Sequence, residues 1–427
     1  MITKIKVKNY KSLHDLNLDV GRFNIFIGEN GSGKSNILEA ITLAAAAEAN
    51  KLDNEFLSSR GIRVTDPNFM RSAFKDGITS SPINIEIQDE HKSITKEYLL
   101  TNDNKPYSKW TILEDESKTH VKFTNKDIEA LFKLLKENED SLDLRKKENF
   151  PSIIFNKIIN DSVEKEAFKE FLYYQLNNEK WENLQNFVIY SPENTALRNF
   201  YKEGQIEPLG INGEGLLKLL KTIRESAALE TKQETNKKGF FSFFHNYNYE
   251  TDKFSRLNEI HKTLQLFDWY ENLEIPKELS ESEDKVKITD KYLNDSFDQR
   301  STNEGFLFIL FYISLIVSED TPEIFGIDNI DASLNPKLCS KLITELTRLM
   351  KKYDKQVFAT THNPAILDGI NLGDDEQRLF VVSRNRSGHT RCKRITVENK
   401  PLSSTGEALR LSEAFLRGYL GGLPKGF

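Results

Sequence analysis

The chain has 427 residues, of which 38% are hydrophobic and 29% are charged, so it can bury a sizeable core and should form two or three domains. Its net charge of -6 argues against a surface that coats nucleic acid non-specifically and leaves only a local patch for such a contact. Its two cysteines, Cys339 and Cys392, are far apart and lack metal-ligand spacing, so neither a disulfide framework nor a zinc site is predicted.

No segment predicts contact with a membrane. The longest apolar run, at 306–317, has twelve residues, fewer than the ~20 that span a bilayer, and is interpreted as a buried helix. The first residues alternate as a strand does and contain no apolar stretch typical of a signal peptide. Together with the cysteine usage, these features lead us to expect a cytoplasmic protein.

Residues 1–100 predict an N-terminal lobe. Apolar residues alternate or run together at 4–10, 16–20 and 23–28, as they do in strands, and an Ala-rich helical pattern follows from residue 34. Between them lies the sequence GENGSGKS, which satisfies the phosphate-loop (Walker A) pattern in its required context of strand, loop and helix.

The Walker A pattern predicts a binding site for ATP and Mg²⁺. The glycines let backbone N–H groups close around phosphates, and the start of the helix adds partial positive charge. Lys34 is predicted to reach the β and γ phosphates, and Ser35 to bind the metal. The predicted nucleotide-binding residues of this segment are Gly28, Glu29, Asn30, Gly31, Ser32, Gly33, Lys34, Ser35 and Asn36.

Residues 101–289 predict a mainly helical insertion. The segment is charged and rich in Lys, Glu and Asn, with a return strand near 187–195 and a mobile aromatic loop near 228–249. The aromatic residues of this loop would stack on single-stranded nucleic acid, form a satellite core, or contact a protein partner, and we favour the partner. They are Phe240, Phe241, Phe243, Phe244, Tyr247 and Tyr249, preceded by Lys237 and Lys238.

Residues 290–427 predict a C-terminal lobe made of a helix, a strand, a helix, a second strand, a hairpin and a final helix. The first strand ends at Asp328, which we expect to hold the Mg²⁺ beside Ser35. The second strand ends at His362, a residue type that can hydrogen-bond a γ-phosphate or an attacking water.

The order of these motifs resembles that of the ABC-type ATPase heads, and within them the SMC, RecF and OLD-like group. The similarity covers roughly residues 1–50 and 290–400. It implies an α/β fold, a mixed central sheet with flanking helices, and a homodimer that holds two ATP molecules between its subunits. It also implies that a signature segment of one subunit caps the γ-phosphate bound by the other. That segment would be Asn303, Glu304 and Gly305, with Asn303 in place of the usual serine and Ser301 two residues earlier.

The residue after Asp328 departs from this group, because Asn329 stands where a glutamate usually positions the attacking water. An amide cannot act as a general base, and losing such a group slows a reaction by about 10² to 10⁴. Asp331 and a partner subunit's Glu304 are candidates to replace it. Three hypotheses remain: slow hydrolysis in a lasting sandwich, hydrolysis by a relocated carboxylate, or binding without turnover. We favour the first two together, with Lys34, Asp328, Asn329, Asp331 and His362 as the catalytic set.

A hairpin at 383–395 carries five cations, Arg384, Arg386, Arg391, Lys393 and Arg394. It predicts either a solvated turn or a contact with a phosphate backbone or an acidic partner.

The whole pattern resembles the stand-alone ATPases of bacterial anti-phage defence cassettes. We see no nuclease constellation and expect a sensor or scaffold that controls a separate effector, a nuclease or a toxin. The alternative is a RecF-like repair ATPase that binds DNA ends or gaps. A transporter ATPase is disfavoured because of the large insertion.

Overall fold

The computed structural model describes residues 1–74, 81–89, 95–105, 108–113, 181–199, 204–225, 255–276, 285–401 and 409–422. The aromatic loop predicted near 228–249 and much of the predicted helical insertion lie outside these residues.

The strands and helices of the described residues have the following bounds. The strands are β1 (Ile2–Tyr10), β2 (Leu13–Asp19), β3 (Phe23–Ile27), β4 (Ile83–Asp89), β5 (Thr95–Thr101), β6 (Thr111–Ile112), β7 (Ile189–Tyr190), β8 (Tyr270–Glu274), β9 (Lys287–Asp290), β10 (Phe297–Asp298), β11 (Ile324–Ile327), β12 (Gln356–Thr361), β13 (Gln377–Arg384) and β14 (Thr390–Ile395). The α-helices are α1 (Lys34–Glu48), α2 (Asn54–Ser59), α3 (Pro67–Met70), α4 (Glu182–Gln185), α5 (Asn194–Arg198), α6 (216–225), α7 (Ser255–Leu264), α8 (Glu304–Val317), α9 (Pro336–Lys352) and α10 (Leu411–Leu416), and 3-10 helices lie at Pro364–Gly369 and Val397–Asn399.

The central sheet has six strands in the order β14-β13-β3-β12-β11-β7. All neighbouring strands run parallel except β13 and β14, which form an antiparallel hairpin. Strand β7 adds the edge next to β11 and lies within the stretch near 187–195 that was predicted as a strand. Because the parallel strands point the same way, the loops after β3, β11 and β12 meet at one edge of the sheet.

Each face of the central sheet packs against a different layer. On one face, the side chains of Phe26, Phe358 and Phe380 pack with helix α1, which lies between this sheet and an antiparallel sheet of order β2-β1-β4-β5-β6. On the other face, Ile25 and Val357 pack with α8 and α9. Successive side chains of a strand thus face opposite layers, and both faces are buried, as expected of a parallel sheet that is covered on both sides.

Helix α8 is the centre of the second layer. Thirteen of its fourteen residues are buried, which agrees with the interpretation of the run at 306–317 as a buried helix. Helix α9 buries only one stripe of side chains at helical spacing, begins at the capping residue Asn335, and ends with Lys351 and Lys352. The predicted fold, an α/β ATPase head with a mixed sheet and flanking helices, is confirmed.

A third, antiparallel sheet was not predicted. Its order is β10-β9-β8, and it crosses the domain boundary that we placed at residues 289 and 290, because that boundary falls inside β9. These strands are short and rich in charged residues, so their apolar alternation is too weak to distinguish them from the helical sequence around them.

Candidate functional site

The Walker A loop joins the end of β3 to the start of α1. Gly31 and Gly33 have positive φ angles of 75° and 106°, which glycine adopts without steric cost. A Cβ atom on Gly33 would lie 2.2 Å from Thr390 Oγ1, so a larger residue does not fit there. Gly33 gives α1 no side-chain cap, and the first turn of α1 carries no acidic residue. The first N–H groups of the helix are therefore available to an anion.

Lys34 lies within this loop. Its Nζ atom donates hydrogen bonds of 2.9 Å to the carbonyl oxygens of Gly28 and Glu29. Burial lowers the pKa of Lys34 to about 8, although Asp328 and Asp331 act in the opposite direction. A phosphate in the loop would offer the ammonium group a stronger acceptor than these two carbonyls.

Ser35 and Asp328 come together as predicted for a metal site. Ser35 Oγ lies 3.1 Å from both carboxylate oxygens of Asp328, and Thr360 donates a further hydrogen bond to the same carboxylate. Within the described residues, no group of three or more His, Cys, Asp or Glu side chains is placed to hold a metal ion. One hydroxyl and one carboxylate suit Mg²⁺, which takes its other ligands from water and phosphates. The residues present thus fit Mg²⁺ bound together with a nucleotide.

His362 follows β12 and lies beside Lys34. Its Nδ1 atom is 3.3 Å from Lys34 Nζ. Burial and then the charge of Lys34 lower the pKa of His362, while Asp331 and Asp328 act in the opposite direction. The imidazole is therefore neutral near pH 7, and one of its nitrogens can accept a hydrogen bond.

Asn329 and Asp331 form the turn after β11. Asn329 is exposed and has a left-handed backbone with φ of 58°, and its N–H group donates to Thr360 Oγ1 at 3.0 Å. Asp331 Oδ1 accepts a 2.6 Å hydrogen bond from Thr361 Oγ1. The Asp331 carboxylate lies close enough to raise the pKa values of Lys34 and His362, and also those of Tyr312 and Cys339 in α8 and α9.

The predicted signature segment begins helix α8. Asn303 is the N-cap residue, and its Oδ1 atom accepts a 2.9 Å hydrogen bond from the N–H group of Phe306. The carboxylate of Glu304 accepts hydrogen bonds from Asn194 Nδ2 at 2.5 Å and from Ser333 Oγ at 2.7 Å. Glu304 therefore connects the start of α8 to the loop at 331–336, the D-loop, within one subunit.

Gly305 allows the start of α8 to lie close to the D-loop, because a Cβ atom at this position would lie 3.2 Å from the carbonyl oxygen of Ser333. Any larger residue would press on the D-loop backbone. The segment thus packs closely against its own D-loop, and Asn303 and Glu304 remain exposed.

A cavity of about 420 Å³ opens beside the Walker A loop. Four cationic side chains line it, and none of its lining residues within the described part of the chain is acidic. Two aromatic side chains complete its wall. The six are Lys11, Arg63, Arg71, Arg384, Phe69 and Phe74. Its position and positive charge suit the α-phosphate of a nucleotide whose β and γ phosphates lie in the loop.

The five cations of the hairpin do not form one patch. Arg384 Nε donates a 2.7 Å hydrogen bond to the carbonyl oxygen of Gly31 in the Walker A loop. Arg394 forms an ion pair with Asp375 at 3.4 Å. Arg391 and Lys393 are exposed on β14, and Arg386 is exposed in the turn. A contact with nucleic acid at this hairpin would rest on these three residues.

A family model described as "AAA domain, putative AbiEii toxin, Type IV TA system" matches residues 23–368, well over half of the chain. The chain belongs to this AAA family. The match includes the Walker A loop, the Asp328 strand and the His362 loop, and the predicted place among the ABC-type ATPases of the SMC, RecF and OLD-like group is confirmed.

Partial similarity links this AAA protein to two kinds of relative. It is 42% identical over 55 residues to the DNA replication and repair protein RecF of Bacillus cytotoxicus, which is 13% of this chain and 15% of that protein. It is 27% identical over 117 residues to the OLD nuclease of Thermus scotoductus, which is 25% of this chain and 22% of that protein. The chain thus spans less than a quarter of the length of either relative.

Solved SMC head structures are similar in shape at low sequence identity. An SmcHead bound to the C-winged helix domain of ScpA is 13% identical, with a TM-score of 0.49, covering 93% of this chain and 98% of that one. The SMC head domain from Thermotoga maritima is 12% identical, with a TM-score of 0.42, covering 93% and 99%. In the described part of this AAA protein, no helix is long and apolar enough to span a membrane.

Four residues of the candidate site were not predicted from the sequence: Lys11, Glu39, Arg63 and Thr360. Their partners lie far away in the sequence, as with Thr360 and Asp328, which are 32 positions apart. One signal was available for Glu39, because it is the only charged residue of α1 between Lys34 and Glu48. A lone carboxylate in an apolar helix needs a buried partner.

Proposed function

We propose that this protein binds ATP with Mg²⁺ where the loops after β3, β11 and β12 meet, and that it hydrolyses the nucleotide slowly. The observation that carries the proposal is the contact of Ser35 Oγ with both oxygens of Asp328 at 3.1 Å, beside the Lys34 ammonium. In this arrangement Lys34 neutralises the terminal phosphates and Ser35 and Asp328 hold the Mg²⁺. When bound, the metal would neutralise the charge that develops on the phosphates.

Slow turnover is supported by the residues around the expected position of the attacking water. Asn329 offers an amide, which orients water without accepting its proton. Neutral His362 can accept a hydrogen bond, and the Asp331 carboxylate lies near enough to His362 and Lys34 to raise their pKa values. Asp331 is our candidate for the relocated base, although its bond to Thr361 uses one of its oxygens.

The active assembly is proposed to be a homodimer with ATP between its subunits. The exposed Asn303 supports this, because its Oδ1 atom is used in capping α8, which leaves the amide NH₂ group as the donor for a partner's γ-phosphate. Glu304 is less suited to act as the base across such an interface, because both of its oxygens accept hydrogen bonds from its own subunit.

The proposed biological role is control of a separate effector, a nuclease or a toxin, in anti-phage defence. The family description, which names a putative AbiEii toxin and a Type IV TA system, supports a role in such a system. A long-lived ATP-bound dimer suits a sensor or scaffold, because its assembled state would persist while it holds the effector.

The test measures ATP turnover and particle mass of the full chain, with and without Mg·ATP. We expect a monomer without nucleotide, a dimer with it, and slow phosphate release. Lys34→Ala should abolish ATP binding and dimerisation. Asp331→Ala should abolish phosphate release but keep the ATP-dependent dimer. If the wild-type protein binds no ATP, the proposal is wrong; if Asp331→Ala leaves turnover unchanged, only the relocated base is wrong.

A RecF-like role at DNA ends or gaps is the second candidate function. The 42% identity to RecF over 55 residues supports it, as do the exposed Arg391 and Lys393 on β14. Binding of the ATP-loaded protein to gapped DNA, lost in an Arg391→Glu and Lys393→Glu double variant, would favour repair. Co-purification with a neighbouring nuclease or toxin would favour defence.

A further inference from the structure

Helix α1 carries a buried carboxylate one turn after Ser35. The Glu39 side chain is 2% exposed, and both of its oxygens accept hydrogen bonds. Oε2 accepts one from the Lys11 ammonium and one of 3.1 Å from the Tyr10 hydroxyl. Oε1 accepts a 2.7 Å bond from Arg63 Nε and a 3.3 Å bond from the Arg63 backbone N–H. Burying a carboxylate is costly without such donors, so this group is fully committed.

The two cations on Glu39 are also part of the cavity beside the Walker A loop. The Lys11 side chain is 13% exposed and that of Arg63 is 67% exposed, so each meets Glu39 on one side and the cavity on the other. Lys11 also has a left-handed backbone with φ of 45°, a conformation that is unfavourable for a residue with a side chain. The bond to Glu39 helps to hold Lys11 in that conformation.

The same wall of the cavity is connected to the Walker A loop by a chain of hydrogen bonds. Asn36 accepts from Arg63 at 3.4 Å and donates to Ser12 Oγ at 2.7 Å. Ser12 pairs with Thr390, whose hydroxyl contacts the carbonyl oxygen of Ser32 at 2.8 Å. The position of the two cations is therefore set relative to the loop that would hold the phosphates.

The other two cations of the cavity are held by groups other than Glu39. Arg71 is buried, and its guanidinium donates to Ser81, Asn102 and Asn104. Arg384 Nε is used by the carbonyl oxygen of Gly31. Lys11 and Arg63 are thus the two cations of the cavity that Glu39 orients.

We propose that Glu39 is a positioning residue of the nucleotide site. It holds the Lys11 ammonium and the Arg63 guanidinium where they bind the α-phosphate and ribose of an ATP whose β and γ phosphates lie in the Walker A loop. This inference rests on the proposed function, since it requires that the loop bind ATP. It predicts that Glu39 affects a ligand that reaches the cavity and not one that fills the loop alone.

The test compares Mg·ATP with Mg·pyrophosphate, which is long enough for the β and γ positions only. Dissociation constants of both are measured by calorimetry for the full-length wild type and Glu39→Gln. Glu39→Gln replaces the charged acceptor of the Lys11 and Arg63 hydrogen bonds by a neutral amide. The dissociation constant for Mg·ATP should therefore rise by about tenfold to a hundredfold. Its affinity for pyrophosphate should stay within about twofold of the wild-type value, since the loop itself is unchanged.

Glu48→Gln is the matched control, because Glu48 is a second buried carboxylate at the far end of α1. It accepts hydrogen bonds from Lys96, Tyr98 and the N–H of Trp181, much as Glu39 accepts from Lys11, Tyr10 and Arg63. Both variants should lower the midpoint of thermal unfolding. Only Glu39→Gln should change the ratio of ATP to pyrophosphate affinity.

Arg63→Gln keeps the proposal testable if Glu39→Gln does not fold, because the Arg63 side chain is largely exposed. It should raise the dissociation constant for Mg·ATP about tenfold. Where Glu39→Gln does fold, combining the two substitutions should raise that constant by less than the product of the two single effects. The role of Glu39 would be overturned if Glu39→Gln lost affinity for ATP and for pyrophosphate equally. It would also be overturned if Arg63→Gln bound ATP with wild-type affinity. If the wild type binds neither ligand, the proposed function falls as well.

Discussion

The affinity for ATP should depend steeply on pH because of Lys34. Burial lowers the pKa of this lysine to about 8 when no phosphate is present, while the negative charge of bound phosphates favours the ammonium form. Binding above pH 8 must therefore take up a proton. His362 does not obscure this change, because its lowered pKa leaves it neutral across that range.

The size of the effect follows from the protonated fraction of Lys34. With a pKa of about 8, that fraction falls from about three quarters at pH 7.5 to about one thirtieth at pH 9.5, so the apparent dissociation constant should rise about 25-fold. Calorimetry of Mg·ATP binding in buffers of different ionisation enthalpy measures both the constant and the proton uptake. Lys34→Arg is the control, because its guanidinium does not titrate here. An unchanged constant and no proton uptake in the wild type would refute the reasoning.

The same lowered pKa affects folding stability in the opposite sense. In the unfolded chain Lys34 regains its ordinary pKa of 10.5, so between about pH 8 and pH 10.5 the unfolded state binds more protons than the folded state. The contribution of Lys34 to the free energy of unfolding should therefore increase with pH across this window, while ATP affinity decreases. Lys355, whose pKa burial also lowers to about 8, contributes in the same direction.

Two further predictions concern the loops around the phosphate site. Thr360→Val should lower the free energy of unfolding in urea by about 1–3 kcal/mol, because the N–H of Asn329 and the carboxylate of Asp328 each lose a buried partner. The control is Thr42→Val, which removes only a hydrogen bond to the carbonyl of Leu38 within α1. It should lower the free energy of unfolding by less than about 1 kcal/mol. Glu304→Gln should leave ATP turnover within about threefold of the wild-type value, since an amide can keep the contacts to Asn194 and Ser333; a drop of about 10² or more would instead identify Glu304 as a general base.

The sequence was most informative where a motif coincides with the end of a parallel strand. The Walker A loop follows β3, Asp328 follows β11 and His362 follows β12, and neighbouring parallel strands bring their carboxyl ends together whatever the residues between them are. Their convergence could therefore be predicted from local patterns alone. The buried helix α8 was predictable for a similar reason, because one uninterrupted apolar segment determines it.

Contacts between distant segments could not be predicted in this way. Ser12 and Thr390 are 378 positions apart, and nothing near either residue indicates the other. The hairpin cations illustrate the same limit: their spacing suggested one patch, but strand alternation and the nearby Gly31 carbonyl and Asp375 direct them to different places. The network around Glu39 joins β1, α1 and the segment after α2, so only the packed fold reveals it.

Asn329 replaces the expected glutamate at a position where the backbone itself favours asparagine. Its φ of 58° is left-handed, a conformation that asparagine adopts readily and that costs most other residues roughly 1–2 kcal/mol. Asn329→Glu should therefore lower the free energy of unfolding by about 1 kcal/mol. If the added carboxylate reaches the attacking water, turnover should also rise, by up to about 10² to 10⁴.

Measuring urea unfolding and phosphate release on the same Asn329→Glu preparation separates the two effects. Asn329→Asp is the control, because aspartate tolerates the left-handed turn but is one methylene shorter than glutamate. A large gain in turnover for Asn329→Glu, with wild-type turnover in Asp331→Ala, would show that no relocated base operates and that the missing glutamate limits the rate. Unchanged stability in Asn329→Glu would contradict the backbone explanation, and the asparagine would then have to be explained by slow hydrolysis alone.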